Sequence, residues 1–164
     1  MNDAVEIAPQ ADTVKTGVGD TKILADGLGT ILADTYCLVF KTHAYHWNVE
    51  GPMFYAVHTL SEVQYTEMFA AADELAERIR ALGQLTPFRL MDIVATSGIT
   101  DRKELPPARE MVEDLAADHE KLAKACHMLV ELADEQKDPV TVDLATRRSA
   151  FHEKAAWMLR VLAK

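Results

Sequence analysis

Residues 41–83 read KTHAYHWNVEGPMFYAVHTLSEVQYTEMFAAADELAERIRALG, and their punctuation decides the fold. Gly51-Pro52 breaks the segment into two runs of helical periodicity. Upstream of the break, Leu24, Leu28, Ile31, Leu32, Leu38 and Val39 recur near 3.6-residue spacing, so a long first helix runs from about Thr21. Downstream, a second helix runs from about Phe54, with Leu60, Val63, Ala71, Leu75, Ile79 and Leu82 expected to face inward. Gly83 suits the left-handed residue that ends such a helix. A connection this short makes the two helices antiparallel neighbours.

Working outward, residues 84–106 carry Pro87, Gly98 and Pro106 and lack sustained periodicity, apart from a short helix expected over 89–96. A third helix is expected from about Pro107 to Glu135, with Met111, Leu115, Leu122, Cys126, Leu129 and Ala133 on one face. Asp138-Pro139 then has the cap-plus-proline form of a helix start. The fourth helix carries Leu144, Phe151, Ala155, Leu159 and Leu162 almost to the end. Nothing reads as a strand. Short, long and short connections between four long helices describe an all-α, ferritin-like four-helix bundle, with a long crossover between helices 2 and 3 that contains a short helix. Helices of about 29 residues are roughly 44 Å long, and the crossover can span that length.

The chain has 164 residues, 49% of them hydrophobic, which suits one domain with a real core. Residues 1–20 read as a flexible acidic tail and 21–164 as the bundle domain. Seventeen basic against twenty-six acidic residues leave a net charge of −9, which repels nucleic acid and anionic membranes and attracts cations. Cys37 and Cys126 have no paired spacing and read as small core residues in a reducing, cytoplasmic compartment. No signal peptide and no run of eighteen apolar residues is evident, so a soluble protein is expected.

The chemistry concentrates on the second helix, where His58, Glu62, Asp73 and Glu77 fall at about 0, 40, 60 and 100 degrees around the axis. Imidazole and carboxylate groups suit iron or zinc. Yet His58 and Asp73 stand ~22 Å apart along the helix, too far for one ion. A second chain related by a two-fold axis would bring opposite ends of two such helices together and create two equivalent sites. The usual ferritin centre needs Glu-x-x-His motifs on two helices, and the chain has none. The bundle's own core is therefore expected to be apolar.

His46-Trp47-Asn48-Val49, Gly51-Pro52, Phe54, His58, Glu62, Asp73, Ala76-Glu77-Arg78-Ile79 and Leu82-Gly83 resemble the signature of the Dps family, the miniferritins first known as DNA-binding proteins of starved cells. The likeness runs from about Leu24 through His152-Glu153-Lys154 to Trp157-Met158-Leu159-Arg160. It implies a dodecameric homo-oligomer built from two-fold dimers. At each interface His46, His58 and Glu62 of one subunit and Asp73 and Glu77 of another would bind ferrous iron, with zinc as a possible surrogate. The family often has aspartate at the position of Glu62. The implied activity is a ferroxidase that prefers hydrogen peroxide and stores ferric mineral, protecting against oxidative damage, with Trp47 scavenging stray oxidising equivalents.

Asp134, Glu135, Asp138 and Asp143 resemble the acidic lining of the family's three-fold pores, with Asp134 and Asp143 first, although Asp138 also suits a helix cap. His43 reads as a neighbour of the site rather than a ligand, and His119, His127 and His152 as structural. Glu74 reads as a surface residue in a salt bridge with Arg78 or Arg80. A nucleoid-protecting DNA binder is the alternative function. Family members that bind DNA strongly tend to use basic tails, whereas Asp3, Glu6, Asp12 and Asp20 outnumber Lys15 here, so weak or absent DNA binding is expected.

Overall fold

The computed structural model describes residues 8–164. Five helices follow in order: α1 (Thr21–Asn48), α2 (Phe54–Ala81), α3 (Leu90–Thr96), α4 (Ala108–Glu135) and α5 (Pro139–Leu162). Helices α1 and α2 form one tight pair and α4 and α5 the other, with α3 carried on the crossover against α1. This is the four-helix bundle with one long crossover that the sequence predicts.

The helix ends have local causes. The Asp20 side chain accepts from the backbone of Lys22 and Ile23 (3.0 and 3.1 Å) and starts α1. At Gly83 φ is +78°, Gly83 N donates to Arg80 O and Gln84 N to Ile79 O, closing α2 in the crossed pattern of a left-handed cap. The α4–α5 turn repeats that pattern around Lys137, whose φ of 59° is unusual for a residue with a side chain.

The core departs from the expected apolar bundle. Leu24–Leu32, Ala72–Leu82, Cys126–Ala133 and Leu144 build one apolar cluster near one end, and Leu38, Tyr45, Val57, Met68, Met111–Leu122 and Leu159 build another. Buried polar groups accompany them: Thr42, Gln64, His119, Arg148 and His152 are all at most 5% exposed. Arg148 is held by both carboxylate oxygens of Glu67. The His119 and His152 rings face each other, Nδ1 to Nδ1, at 2.9 Å. Val63 also differs from expectation: at 63% exposed it lies on the outer side of α2, because the inward stripe runs through Val57, Ser61, Gln64 and Met68.

Two buried charges on α1 tether the crossover. Asp34 accepts from Ser97 Oγ and Gly98 N (2.8 and 2.6 Å), while Lys41 donates to Thr100 O and pairs with Asp114 and Asp118 at 2.8 and 2.7 Å. By length and mean composition α1 passes the test for a membrane-crossing helix, but half of its most apolar window is buried within the bundle, as in the core helix of a folded domain.

Residues 8–20 run against the end of the bundle. Arg80 Nη2 donates to Gln10 O (3.0 Å), Val14 N to Ala81 O (3.2 Å), Gly19 N to Gln136 O (2.9 Å) and Asp20 N to Gln136 Oε1 (2.7 Å). A Cβ at Gly83 would overlap Thr13 of this strap. The remainder of the expected tail, with Asp3 and Glu6, lies outside the described residues.

Candidate metal centre

The tight α1–α2 turn places the last turn of α1 beside the first turns of α2, and so brings His46 and His58 together. Their rings stack with centroids 3.7 Å apart. His46 Nδ1 lies 2.8 Å from the carbonyl oxygen of His58, and His58 Nδ1 lies 2.9 Å from that of His46. A carbonyl can only accept, so each Nδ1 carries the proton and donates. Each Nε2 therefore keeps its lone pair, and neither makes a hydrogen bond among the described residues. Fixing the tautomer through the far nitrogen is how proteins prepare a histidine for a metal. Ser61 Oγ, 3.3 Å from His46 Nδ1, completes the support.

Aromatic rings extend the site along the surface. His43 lies between Trp47 and Tyr65, with centroids 4.0 and 4.1 Å away, and Phe54 stacks on the other side of His58 at 5.0 Å. His43 is thus a packed neighbour of the His46/His58 pair. Trp47 is 59% exposed, an unusual position for so large an apolar ring.

The carboxylates follow the helix geometry. Glu62, Asp73 and Glu77 are exposed on the continuous helix α2, and none forms an ion pair among the described residues. Neighbouring acids on the same helix behave differently: Glu67 grips Arg148, and Glu74 pairs with Arg147 at 3.1 Å. Glu74 is thus the surface ion pair expected, with a different partner. Within one chain the structure brings His46 and His58 together but leaves Asp73 and Glu77 farther along α2, and no group of three His, Cys, Asp or Glu side chains among the described residues converges on a metal position.

Of the expected pore residues, Asp134 and Asp143 are exposed, Asp143 being paired with Arg147 at 3.0 Å. Asp138 is 1% exposed and fully committed. It caps α5 through Thr141 N (3.1 Å), accepts from Thr141 Oγ1, and binds Arg78 Nη2 through both oxygens at 2.7 Å. Burial raises its pKa, but Arg78 and Thr141 outweigh that and hold the carboxyl below the usual range. A carboxylate so satisfied is committed within the chain to the helix cap and to Arg78.

The remaining histidines are structural in two ways. His127 is exposed and hydrogen-bonds Glu153 at 2.8 Å. His119 and His152 are buried, and burial lowers His119 to about 3 and His152 well below its usual value. Cys126 is buried and its thiol is pushed up to about 12 by burial, whereas Cys37 is half-buried.

Comparison with known proteins places this bundle in a class. Residues 25–164 match the model of the ferritin-like domain. The chain is 34% identical to DNA protection during starvation protein 2 of Bacillus anthracis over 85% of its own length and 95% of the relative's. It is 37% identical to a low temperature-induced protein of Nostoc, over 79% and 73% of the two lengths. The structure of Dps from Thermosynechococcus elongatus superposes with a TM-score of 0.83 at 31% identity, covering 85% of this chain and 89% of that one. The chain belongs to the Dps family of ferritin-like proteins. That membership broadly implies iron chemistry and oligomeric storage.

Proposed function

We propose that the chain is the subunit of a ferroxidase and iron store, a dodecameric shell whose metal sites are shared across two-fold interfaces. The observation that carries this reading is the reciprocal lock of His46 on α1 and His58 on α2, which leaves both Nε2 atoms as metal donors while the unpaired Asp73 and Glu77 stand too far along α2 to serve the same ion. A second chain, turned end for end, supplies Asp73 and Glu77 to His46, His58 and Glu62. Two ferrous ions are the substrate. Hydrogen peroxide accepts one electron from each and, with two protons, leaves as two water molecules, so no hydroxyl radical is released. Zinc, with similar donor preferences, would occupy the site without turnover.

Trp47, exposed beside His46, would give up an electron to any oxidant that escapes in a one-electron step. Asp134 and Asp143 remain the candidates for cation entry. A cytoplasmic setting suits a protein that handles ferrous iron and has free thiols. Nucleoid protection by DNA binding is the second reading; the names of relatives favour it, while the net charge of −9 opposes it.

The test mixes the purified protein with ferrous iron and peroxide and follows ferric absorbance. His46→Ala and Asp73→Asn should each slow oxidation by at least about 10-fold, the scale of a lost metal ligand or its support. Wild-type rates in both would sink the site. Assemblies reconstituted from the two variants together should regain part of the activity, because a mixed dimer has one intact site of its two.

A further inference from the structure

The stripe of α2 that carries Asp73 continues two turns on to Arg80, and there the surface forms a groove. Pro9, Arg80, Leu85, Thr86 and Phe88 line its volume of about 560 Å³. Its walls are apolar and open, Phe88 being 92% and Leu85 54% exposed. The strap forms one wall, held where Arg80 donates to the carbonyl oxygens of Gln10 and Gln84. Arg80 has no carboxylate partner among the described residues.

At the opposite end of α2 the α1–α2 turn offers the complementary chemistry. Phe54 and Tyr55 are 44% and 79% exposed, Gly51 turns the chain at φ +86°, and Glu50 is exposed with no ion pair among the described residues. We propose that this groove receives the turn over residues 50–55 of a second copy of the chain, with Glu50 meeting Arg80 and the two aromatic rings covering Leu85 and Phe88. The proposal rests on the shared-site reading, which sets the register. If His58 lies opposite the middle of the stretch from Asp73 to Glu77 on an antiparallel α2, then Arg80, five residues past that middle, falls opposite Met53, five residues before His58. Arg80 lies seven residues after Asp73 and so shares its face of the helix. Two-fold symmetry makes the contact twice. The strap then belongs to the interface and closes the flank of the metal site, so ordering of residues 8–14 and assembly of the site are linked.

Two experiments on the full chain test this. In the first, Glu50→Arg and Arg80→Glu should each raise the subunit dissociation constant at low salt by about 10-fold or more, and the double exchange should recover most of the loss, as opposed charges at close range require. Sedimentation measures this, and circular dichroism establishes that each variant is folded. Unchanged single variants, or a double exchange no better than the worse single, would overturn the proposal. In the second, Tyr55→Cys with Leu85→Cys on a Cys37→Ser background should yield a disulfide-linked dimer on a non-reducing gel. The two positions lie at opposite ends of α2, ~45 Å apart, so the bond cannot form within one chain. A doubly substituted protein that remains monomeric on the gel, or a dimer formed equally by either single substitution, counts against the docking. His46→Ala and Asp73→Asn are assayed in parallel for iron oxidation. Loss of activity there with no charge-swap effect overturns the docking alone, whereas wild-type activity there removes the shared site and the proposal with it.

Discussion

A histidine is defined by what its two nitrogens face, and this chain contains two opposite cases. His46 and His58 each donate Nδ1–H to a carbonyl, and neither Nε2 makes a hydrogen bond among the described residues. His119 and His152 share one proton between their Nδ1 atoms, and both Nε2 atoms are buried without a partner. Protonating that pair would place a second charge beside Arg148 in the core, so it stays neutral in the folded state. The unfolded histidines titrate near ~6.5. As pH falls below that value the unfolded chain binds more protons than the folded one, so stability declines with falling pH. The window extends from about 6.5 down towards the folded value of about 3 for His119, and each histidine can contribute on the order of 1.4 kcal/mol per pH unit within it. Chemical denaturation at pH 7.5 and 5.5 should show this loss, and His119→Leu with His152→Leu should shrink the difference between the two pH values. An unchanged difference would exclude the pair as its source. The pairing of His46 and His58 was legible in the sequence because the tight Gly51-Pro52 turn sets them on adjoining helix ends. The His119/His152 pair was not, because the two residues meet across α4 and α5 and no local pattern links them.

Among the elements, the turn between α4 and α5 shows how one residue type serves different ends. Asp138 was readable both as a cap and as pore lining; the structure shows the cap, and adds a partner no local pattern announces, Arg78, sixty residues away in sequence. Asp138→Ala removes a cap worth about 1 kcal/mol and strands a mostly buried guanidinium, whose loss of partner costs about 3–5 kcal/mol in comparable sites. Its unfolding midpoint should drop accordingly. Asp134→Asn, on the surface, should leave stability within about 0.5 kcal/mol of wild type while slowing iron uptake; a variant pair with these effects exchanged would reverse the two assignments. Lys137 occupies a backbone region that favours glycine, so Lys137→Gly should stabilise the chain by about 0.5–1 kcal/mol. Helix boundaries were almost wholly legible, since Gly51-Pro52, Gly83 and Asp138-Pro139 are local breakers. The buried Asp34 and Lys41 on α1 were the missed signal: charges inside an apolar stripe need partners, and theirs come from the crossover and α4.

At the scale of the whole molecule, one chain leaves two groups of large apolar side chains exposed. Tyr36, Phe40, Trp47 and Phe69 on the α1–α2 side, and Phe88, Leu90, Met91 and Val94 on the crossover, are all at least 40% exposed. Association would cover them, and the same association would multiply the chain's charge. A shell of such subunits presents nine net negative charges per copy to the DNA backbone. Affinity for DNA comes chiefly from cations that replace condensed counterions, and it falls steeply with salt in proportion to the number of phosphates neutralised. The strap supplies Lys15 against Asp12 and Asp20, and its backbone bonds to Arg80, Ala81 and Gln136. Few phosphates can be engaged on those terms. A gel-shift measurement at ~150 mM salt without divalent cations should therefore show no retarded DNA. A clear shift under those conditions would mean that local basic surface outweighs the net charge. Added divalent cations could bridge carboxylates to phosphates, so a shift that appears only with them, and vanishes with chelator, is the expected form of any association.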